Sequence, residues 1–479
     1  MASHRTVFER QRPPEAQVTE SLRDSRHAVF WLEDVETVNR PALSGTIDAD
    51  LTVVGGGYCG LWTAVLAKRR DPTARVVLLE AETIGWAASG RNGGFAEASL
   101  THGEDNGRAR WAAEYDTLHR MGLDNLDAIE RDVEELKMDV QLERTGVLEV
   151  AYEPHQVRWL QEAGHGQWLD RDAVRAEIAS PIFEAGRWVK DTCALVHPGR
   201  LAQELARVAT DLGVEIFEHS AVSGLGTGLG SGLGSGRSGA VDVRTTRGLV
   251  RSRRVALATN VFRPLLRRSR LLTVPVYDYV LMTEPLSPGQ MAEIGWQHRQ
   301  GVSDLANQFH YSRLTADNRI LYGGYDAIYH AGRGVRPEHE DRDASYRRLA
   351  SHLLTTYPQL EGLRFSHRWA GAIDTSTQFC AFHGLARRGR VAYAAGFTGL
   401  GVAATRFAAE VMLDRLAGET TARTQLEMVR KKPLPFPPEP FTKIGIEATK
   451  WSLDRADHRE GRRNLMLRTL DRLGLGFDS

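Results

Sequence analysis

Apolar and polar positions change rhythm several times along the chain. Residues 1–49 are mostly polar, with Pro13, Pro14 and Pro41 and one apolar patch, Val29-Phe30-Trp31-Leu32. This pattern predicts an extended leader that the patch anchors on the main body. At residue 50 a short apolar run begins, Asp50-Leu51-Thr52-Val53-Val54, ending in Gly55-Gly56-Gly57-Tyr58-Cys59-Gly60. The helical stretch LWTAVLAKRR follows, stopped by Asp71-Pro72, and then a second apolar run, Val76-Val77-Leu78-Leu79. Strand, glycine turn, helix and strand make one βαβ unit.

Residues 107–138 read as helical and charged, and 139–160 alternate in strand fashion around GVLEVAY. HPGRLAQELARVATDLG predicts a helix leading into the strand VEIFEHS. The Gly/Ser-rich residues 224–239 cannot pack a core. They read as the tip of an elongated hairpin, with a domain linker as the alternative. Residues 274–330 alternate in polarity, and FHYSRLTADNRILYGGY predicts a hairpin turning at Ala316-Asp317-Asn318. Residues 339–358 are helical. A last apolar strand, Arg390 to Ala395, runs into Gly396, and residues 397–416 start glycine-rich and continue as a helix. Prolines keep residues 431–440 extended. A basic amphipathic helix closes the chain and reads as a solvated face packed on its own body rather than a membrane-surface helix.

Composition narrows the function classes. Of 479 residues, 42% are hydrophobic and 25% charged, values of a globular chain. Lys+Arg and Asp+Glu are both 61, so no broad positive field exists and a dedicated nucleic-acid binder is disfavoured. Cys59, Cys193 and Cys380 lie far apart without a CxxC pair, which suggests neither a disulfide framework nor a metal site and fits a reducing cytoplasm. The N-terminus lacks the apolar core of a secretory signal, and no stretch is long and apolar enough to span a membrane. The expectation is a soluble, cytoplasmic protein.

Gly55-x-Gly57-x-x-Gly60 fits the dinucleotide pattern GxGxxG, follows an apolar strand and opens a helix, and Glu80 lies 20 residues past Gly60. The first glycine makes a tight turn, the second lets a pyrophosphate approach the backbone, and the third lets helix and strand pack closely. The helix N-terminus offers N–H groups to phosphate. Glu80 accepts from ribose hydroxyls and repels a 2′-phosphate, which disfavours NADP. FAD and NAD both remain open on this motif. Cys59, inside the loop, reads as a small packing residue.

After Glu80 comes Ile84-Gly85-Trp86-Ala87-Ala88-Ser89-Gly90-Arg91-Asn92-Gly93-Gly94. This segment resembles the G-x-x-A-S-G-R-N-G-G stretch of the D-amino-acid-oxidase-like (DAO) flavoproteins, and is most similar to their γ-glutamylputrescine oxidase-like branch. Val255-Ala256-Leu257-Ala258-Thr259-Asn260 resembles the family strand that returns to the nucleotide domain. Gly396-Phe397-Thr398-Gly399-Leu400-Gly401 resembles its closing glycine segment. The resemblance covers roughly residues 48–420.

It implies an α/β fold with an α+β second domain: a Rossmann-like FAD-binding domain of discontinuous pieces and an antiparallel-sheet substrate domain. The pieces would be 50–105, 195–270 and 385–425 for FAD, and 106–194 and 271–384 for the substrate domain. The leader is 1–49, and the Pro-rich segment with its helix is 426–479. FAD would be held by Gly55, Gly57, Tyr58, Cys59, Gly60 and Glu80, by Ala88, Ser89, Arg91, Asn92, Gly93 and Gly94, and by Val222, Thr259, Asn260 and Gly371. The closing residues Phe397, Thr398, Gly399, Leu400 and Gly401 complete the set. Arg91 would pair with an anionic group or position the flavin ring, with a structural ion pair as the other reading. The helix starting near Gly401 would put positive potential near the flavin N1 and O2 region.

The resemblance further implies that a hydride equivalent passes to flavin from a carbon bonded to nitrogen, that the imine hydrolyses, and that oxygen reoxidises the flavin. No obligatory protein base is implied. Where amino-acid-oxidizing relatives carry a carboxylate-clamping arginine, this chain has Ile373. Where sarcosine-oxidase-like members have a lysine, it has Ala403. Cys380 lies about ten residues past Trp369, away from the family's attachment position, so FAD is expected to be non-covalent. A small-molecule amine fits better than a small α-amino acid. Pocket candidates are His310, Tyr311, Tyr325 and Trp369, with Tyr322, Asp326 and Asp374 beside them. Aromatics there would shelter a neutral amine or hold a cation, though each also reads as a core or edge residue. Asp374 alternatively holds a turn with Thr375 and Ser376. An amino-acid oxidase with a rebuilt carboxylate site, an NAD-dependent dehydrogenase and a non-catalytic flavin-binding subunit are the competing classes. The oligomeric state stays open.

Overall fold

The computed structural model describes residues 4–227 and 239–472. Two sheets organise it. In the first, Gly45–Val54 lies parallel between Gly248–Leu257 and Val76–Leu79, and Val76–Leu79 pairs in turn with Glu215–Phe217. Val391–Ala395 joins the other side of Gly248–Leu257, also parallel. Val76–Leu79 is buried at every position, as expected of a parallel strand covered on both faces. Helices Tyr58–Arg70, Pro198–Asp211 and Gly401–Ala417 supply much of the apolar cover. The predicted hairpin arm is present as Val222–Thr227 against Val241–Thr245. Residues 228–238 of its Gly/Ser-rich tip lie outside the described residues.

The second sheet is mixed and mostly antiparallel. Its strand order runs Arg26–His27, Phe365–Ser376, Thr273–Thr283, Ile320–Gly324, His310–Leu314, Gly301–Asp304, Val147–Ala151, Ala185–Val189, Gln167–Leu169. The hairpin His310–Leu314/Ile320–Gly324 turns where expected, closed by Thr315 and Arg319. Helix Asp343–Thr356 packs on one face of this sheet. The other face meets the Arg91–Gly94 segment, where a Cβ on Gly93 would lie 2.7 Å from the Tyr311 ring.

Four features depart from the sequence reading. The leader is not extended: it forms helices Val7–Arg10, Glu15–Leu22 and Phe30–Glu33, and Arg26–His27 adds a parallel strand to the second sheet. Within 139–160, residues Pro154–Glu162 form a helix, opened by proline in its first turn and a capping box from Glu153 to Gln156. The stretch assigned to the substrate domain at 106–140 packs elsewhere: Trp111, Leu118, Leu126, Ile129 and Val140 belong to the core around the nucleotide helices. Helix Phe441–Asp457 rests on the body through Asp457, which accepts from the N–H groups of Asn307 and Gln308, and through Lys450, which pairs with Asp326, while its Leu453 and Ala456 pack with Leu467 of the last helix. Its outer face is not purely polar, because it exposes Phe441, Ile444 and Trp451.

Candidate active site

The glycine turn is built for close approach. Gly55 has φ +114°, and a Cβ there would stand 2.4 Å from the Ala258 carbonyl oxygen. A Cβ on Gly60 would fall 1.9 Å from the Gly55 oxygen, so strand and helix touch backbone to backbone. Helix Tyr58–Arg70 starts at Gly57 with no side-chain cap, leaving its first N–H groups to a ligand or to the neighbouring loop. One of them, Tyr58 N–H, donates to Ser89 Oγ at 3.0 Å. The Tyr58 hydroxyl donates to the Pro198 carbonyl, and Cys59 is buried. Glu80 ends its strand, accepting from the N–H groups of Gly56 and Glu82 and from the Trp86 indole. Burial pushes its carboxyl up against the pull of those donors.

The segment after Glu80 is knotted by Asn92. Its amide donates to the Ala88 and Ser89 carbonyls at 2.9 Å, and its oxygen accepts from Gly94 N–H at 2.8 Å. Two indoles then fix the backbone from outside: Trp369 donates to the Arg91 carbonyl at 2.8 Å and Trp31 of the leader to the Asn92 carbonyl at 3.0 Å. Arg91 turns to the second sheet, pairing with Glu340 and donating to the Trp86 and Ala370 carbonyls. Its guanidinium is thus taken by a structural ion pair that joins the two halves.

The closing segment is held by Asp374. Its carboxylate accepts from the N–H groups of Gly396 and Phe397, and its carbonyl from Thr398 N–H. Thr398 Oγ in turn accepts from Ser376 N–H at 3.2 Å. Asp374 is therefore not a pocket group. It ties the glycine segment rather than a turn with Thr375 and Ser376, and burial pushes its carboxyl up to about 7. Gly399 has φ +92° with open space where a Cβ would stand, next to Leu400 and Gly401 at the uncapped start of helix Gly401–Ala417. At the end of Gly248–Leu257, Asn260 holds φ +48° after Thr259, and its buried Oδ1 has no partner. Val222 packs against the apolar cluster of the hairpin arm.

Strand register sorts the substrate-side candidates. Ser303, Tyr311, Gly323, Val280 and Trp369 stand in one cross-strand row, with Asp278 opposite Gly371 two positions further along the same face. This face meets the Arg91–Gly94 segment. A Cβ on Gly93 would lie 2.7 Å from the Tyr311 ring, and one on Gly371 would lie 3.5 Å from the Arg91 Cβ. The Tyr311 hydroxyl donates to Asp278. Ile373, half-buried and opposite Val276, shares the face. Ala403 is buried in the core around the closing helix.

His310 and Tyr325 are corrected. His310 neighbours Tyr311 in the strand and therefore points to the opposite face. There it bonds Asp304 at 2.6 Å and His352 at 2.8 Å. Tyr325 stacks on His310 and lies under the Arg348 guanidinium. Tyr322 joins that core, and Asp326 is consumed by Ser345, Arg342 and Arg348. All four pack behind the sheet, away from Trp369 and Tyr311. Sequence reasoning missed Asp278, Glu340 and the Trp31 tether. A charge within the apolar strand VPVYDYVLM was the available signal for Asp278; none marked Glu340.

The family of FAD dependent oxidoreductases (DAO) matches residues 50–415. The chain belongs to that family. It is 30% identical over 396 residues to gamma-glutamylputrescine oxidoreductase of Escherichia coli (strain K12), covering 79% of this chain and 85% of that protein. It is 27% identical over 405 residues to the probable oxidoreductase OrdL of Haemophilus influenzae, again covering 79% and 85%. Among solved structures, glycine oxidase from Geobacillus kaustophilus shares the fold, with TM-score 0.62 and 19% identity over 80% of this chain and 99% of that one. This DAO-family protein is accordingly an FAD-dependent oxidoreductase. The residues present fit the cofactor: the close-packed glycine turn, the uncapped helix starts and the orphaned Asn260 Oδ1 form a cradle a dinucleotide can fill. Among the described residues no helix is long and apolar enough to cross a membrane, and no group of three or more His, Cys, Asp or Glu could hold a metal ion.

Proposed function

We propose that this protein oxidises the C–N bond of an amine whose carboxylate is distant or absent. One observation carries the reading. The sheet face above the Arg91–Gly94 segment offers Tyr311, Asp278 and Trp369, and has Ile373 where amino-acid-oxidising relatives would clamp a carboxylate. The relationship to a gamma-glutamylputrescine oxidoreductase supports the same class.

FAD, when bound, supplies the acceptor for a hydride equivalent from the carbon next to nitrogen, with oxygen as the proposed terminal acceptor. The chain's residues bind and orient. Gly55, Gly57 and Gly60 admit the pyrophosphate to the helix start, and Glu80 receives ribose hydroxyls. Ala88, Ser89 and the Asn92–Gly94 knot would help to hold the cofactor, as would Thr259 and Asn260. Asp374 fixes Phe397 and Thr398 so that the start of helix Gly401–Ala417 presents its positive end. Trp369 and Trp31 hold the carbonyls of Arg91 and Asn92, and Tyr311 closes over Gly93. The three cysteines, all buried and unpaired, suit a reducing cytoplasm, the location we propose.

The test is anaerobic bleaching of the purified holoenzyme by a panel holding γ-glutamylputrescine, other primary and N-alkyl amines, glycine, sarcosine and D-alanine. Amines should reduce the flavin with the higher specificity constants. A small α-amino acid winning by roughly tenfold, the size of a clamp contact, would overturn the amine reading.

A further inference from the structure

Asp278 is a carboxylate that has hydrogen-bond donors but no cationic partner among the described residues. It stands in Thr273–Thr283 between Tyr277 and Tyr279, both buried, in the middle of a sheet. Register turns it to the face that carries Tyr311 and Trp369 and meets Arg91 and Gly93. The residue keeps partial exposure. The Tyr311 hydroxyl and the N–H groups of Gly324 and Tyr279 serve the carboxylate. No cationic side chain pairs with it among the described residues, and Arg91, whose Cβ lies beside Gly371 opposite Asp278, is held by Glu340. Asp326 behind the sheet adds a like charge, and burial pushes the Asp278 carboxyl up to about 6. An enclosed carboxylate with no protein cation is costly, and a ligand cation removes that cost.

We propose that Asp278, oriented by Tyr311, receives the substrate's ammonium group and takes the proton that the amine must lose before oxidation. The inference rests on the amine-oxidising reading. In the step, one N–H bond of R–CH2–NH3+ breaks and an O–H bond forms on Asp278, leaving R–CH2–NH2 and a neutral carboxyl. With the nitrogen lone pair free, the amine would be ready to give up a hydride equivalent from the adjacent carbon, for which bound FAD would supply the acceptor. The Asp278 proton then returns to solvent. The substrate class that follows is a primary or secondary amine arriving as a cation.

The experiment separates binding from turnover. tert-Butylamine has no hydrogen on the carbon bearing nitrogen, so it binds as a cation and cannot be oxidised; pivalate has the same shape and opposite charge. Each is titrated calorimetrically into FAD-loaded enzyme. Affinity for tert-butylammonium should fall about tenfold between about pH 8 and pH 5, as the carboxylate is protonated through about pH 6. Asp278→Asn should weaken it by about 10- to 150-fold with FAD content unchanged, and Asp278→Glu should recover most of the loss. Tyr311→Phe removes a donor that favours the carboxylate and should move the midpoint to higher pH. Equal affinity in Asp278→Asn, a pH-independent affinity, a preference for pivalate, or an unmoved Tyr311→Phe midpoint would each overturn the proposal. If Asp278→Asn does not fold, the wild-type pH profile and the Tyr311→Phe midpoint decide. No tert-butylamine binding in an enzyme whose flavin amines still bleach would reject the ammonium site and leave the amine oxidation standing.

Discussion

Trp31 offers a sharp test of whether the leader is part of the cofactor site. Its indole is buried within the cluster of Phe30, Met282, Leu321 and Trp369, and its N–H reaches the Asn92 carbonyl at 3.0 Å. Trp31→Ala removes a large buried side chain and should cost about 3–5 kcal/mol of stability. Trp31→Phe keeps most of the apolar contact but strips the Asn92 carbonyl of its donor, at about 0.5–1.5 kcal/mol. That carbonyl belongs to the knot proposed to hold the cofactor. Without the tether, part of the knot's ordering falls to FAD binding itself, so the Kd for FAD should rise by up to about tenfold, since 1.4 kcal/mol is a factor of ten. The assay is fluorescence titration of FAD into stripped protein, alongside melting curves. Trp31→Phe should bind FAD more weakly while melting close to wild type, and Trp31→Ala should melt clearly lower. If Trp31→Phe binds FAD within twofold of wild type, the leader is only packing and the tether argument is wrong.

Other outcomes follow from the same geometry. Gly57→Val should abolish FAD binding, because a Cβ at this position already stands 2.8 Å from Ser89 Oγ where the pyrophosphate must approach; a folded variant with full FAD would refute the placement. FAD should leave with the supernatant on acid precipitation, since Cys380 is buried with its thiol held up by burial; yellow precipitate would contradict this. Asp374 sits up at about 7 against an ordinary 3.8, so the folded protein keeps a proton that the unfolded chain releases. Its contribution should therefore decline as pH rises from about 4 to 7, and urea midpoints of Asp374→Asn should lack that slope.

Much of the fold was legible because its periods are strong. The strand–glycine–helix–strand unit, the hairpin around Ala316-Asp317-Asn318 and the final strand into Gly396 each carry their own turn chemistry. The misread pieces are those whose structure comes from contacts. Helices of four to eight residues in the leader are too short to be stable alone and exist because Phe8 stacks on His352 and Trp31 fills a core. The helix Tyr115–Glu135 announces an apolar face, but nothing in its period says which core receives it. Pro154–Glu162 is different: its proline and capping box were readable and were outvoted by the alternation just before them.

The sequence marks the proposed cofactor side of the site by glycine spacing but leaves the substrate side ambiguous, and parity explains why. Glycine spacing and a strand-end carboxylate state their own geometry, since only a close backbone approach requires them. Aromatics on a strand state only that one side of the sheet is apolar. His310 and Tyr311 are adjacent, so one must face the cleft and the other the back, and the choice depends on pairing with Gly323 and Gly324 across the hairpin. Both faces of this sheet are buried, which removes the polar–apolar contrast that would have marked the outside. Under those conditions the informative residue is the one that a doubly buried strand should not contain. Asp278 is that residue. Its position relative to Tyr311 was fixed once the pairing of Thr273–Thr283 with Ile320–Gly324 was known, because two positions along one strand and two strands across share a face.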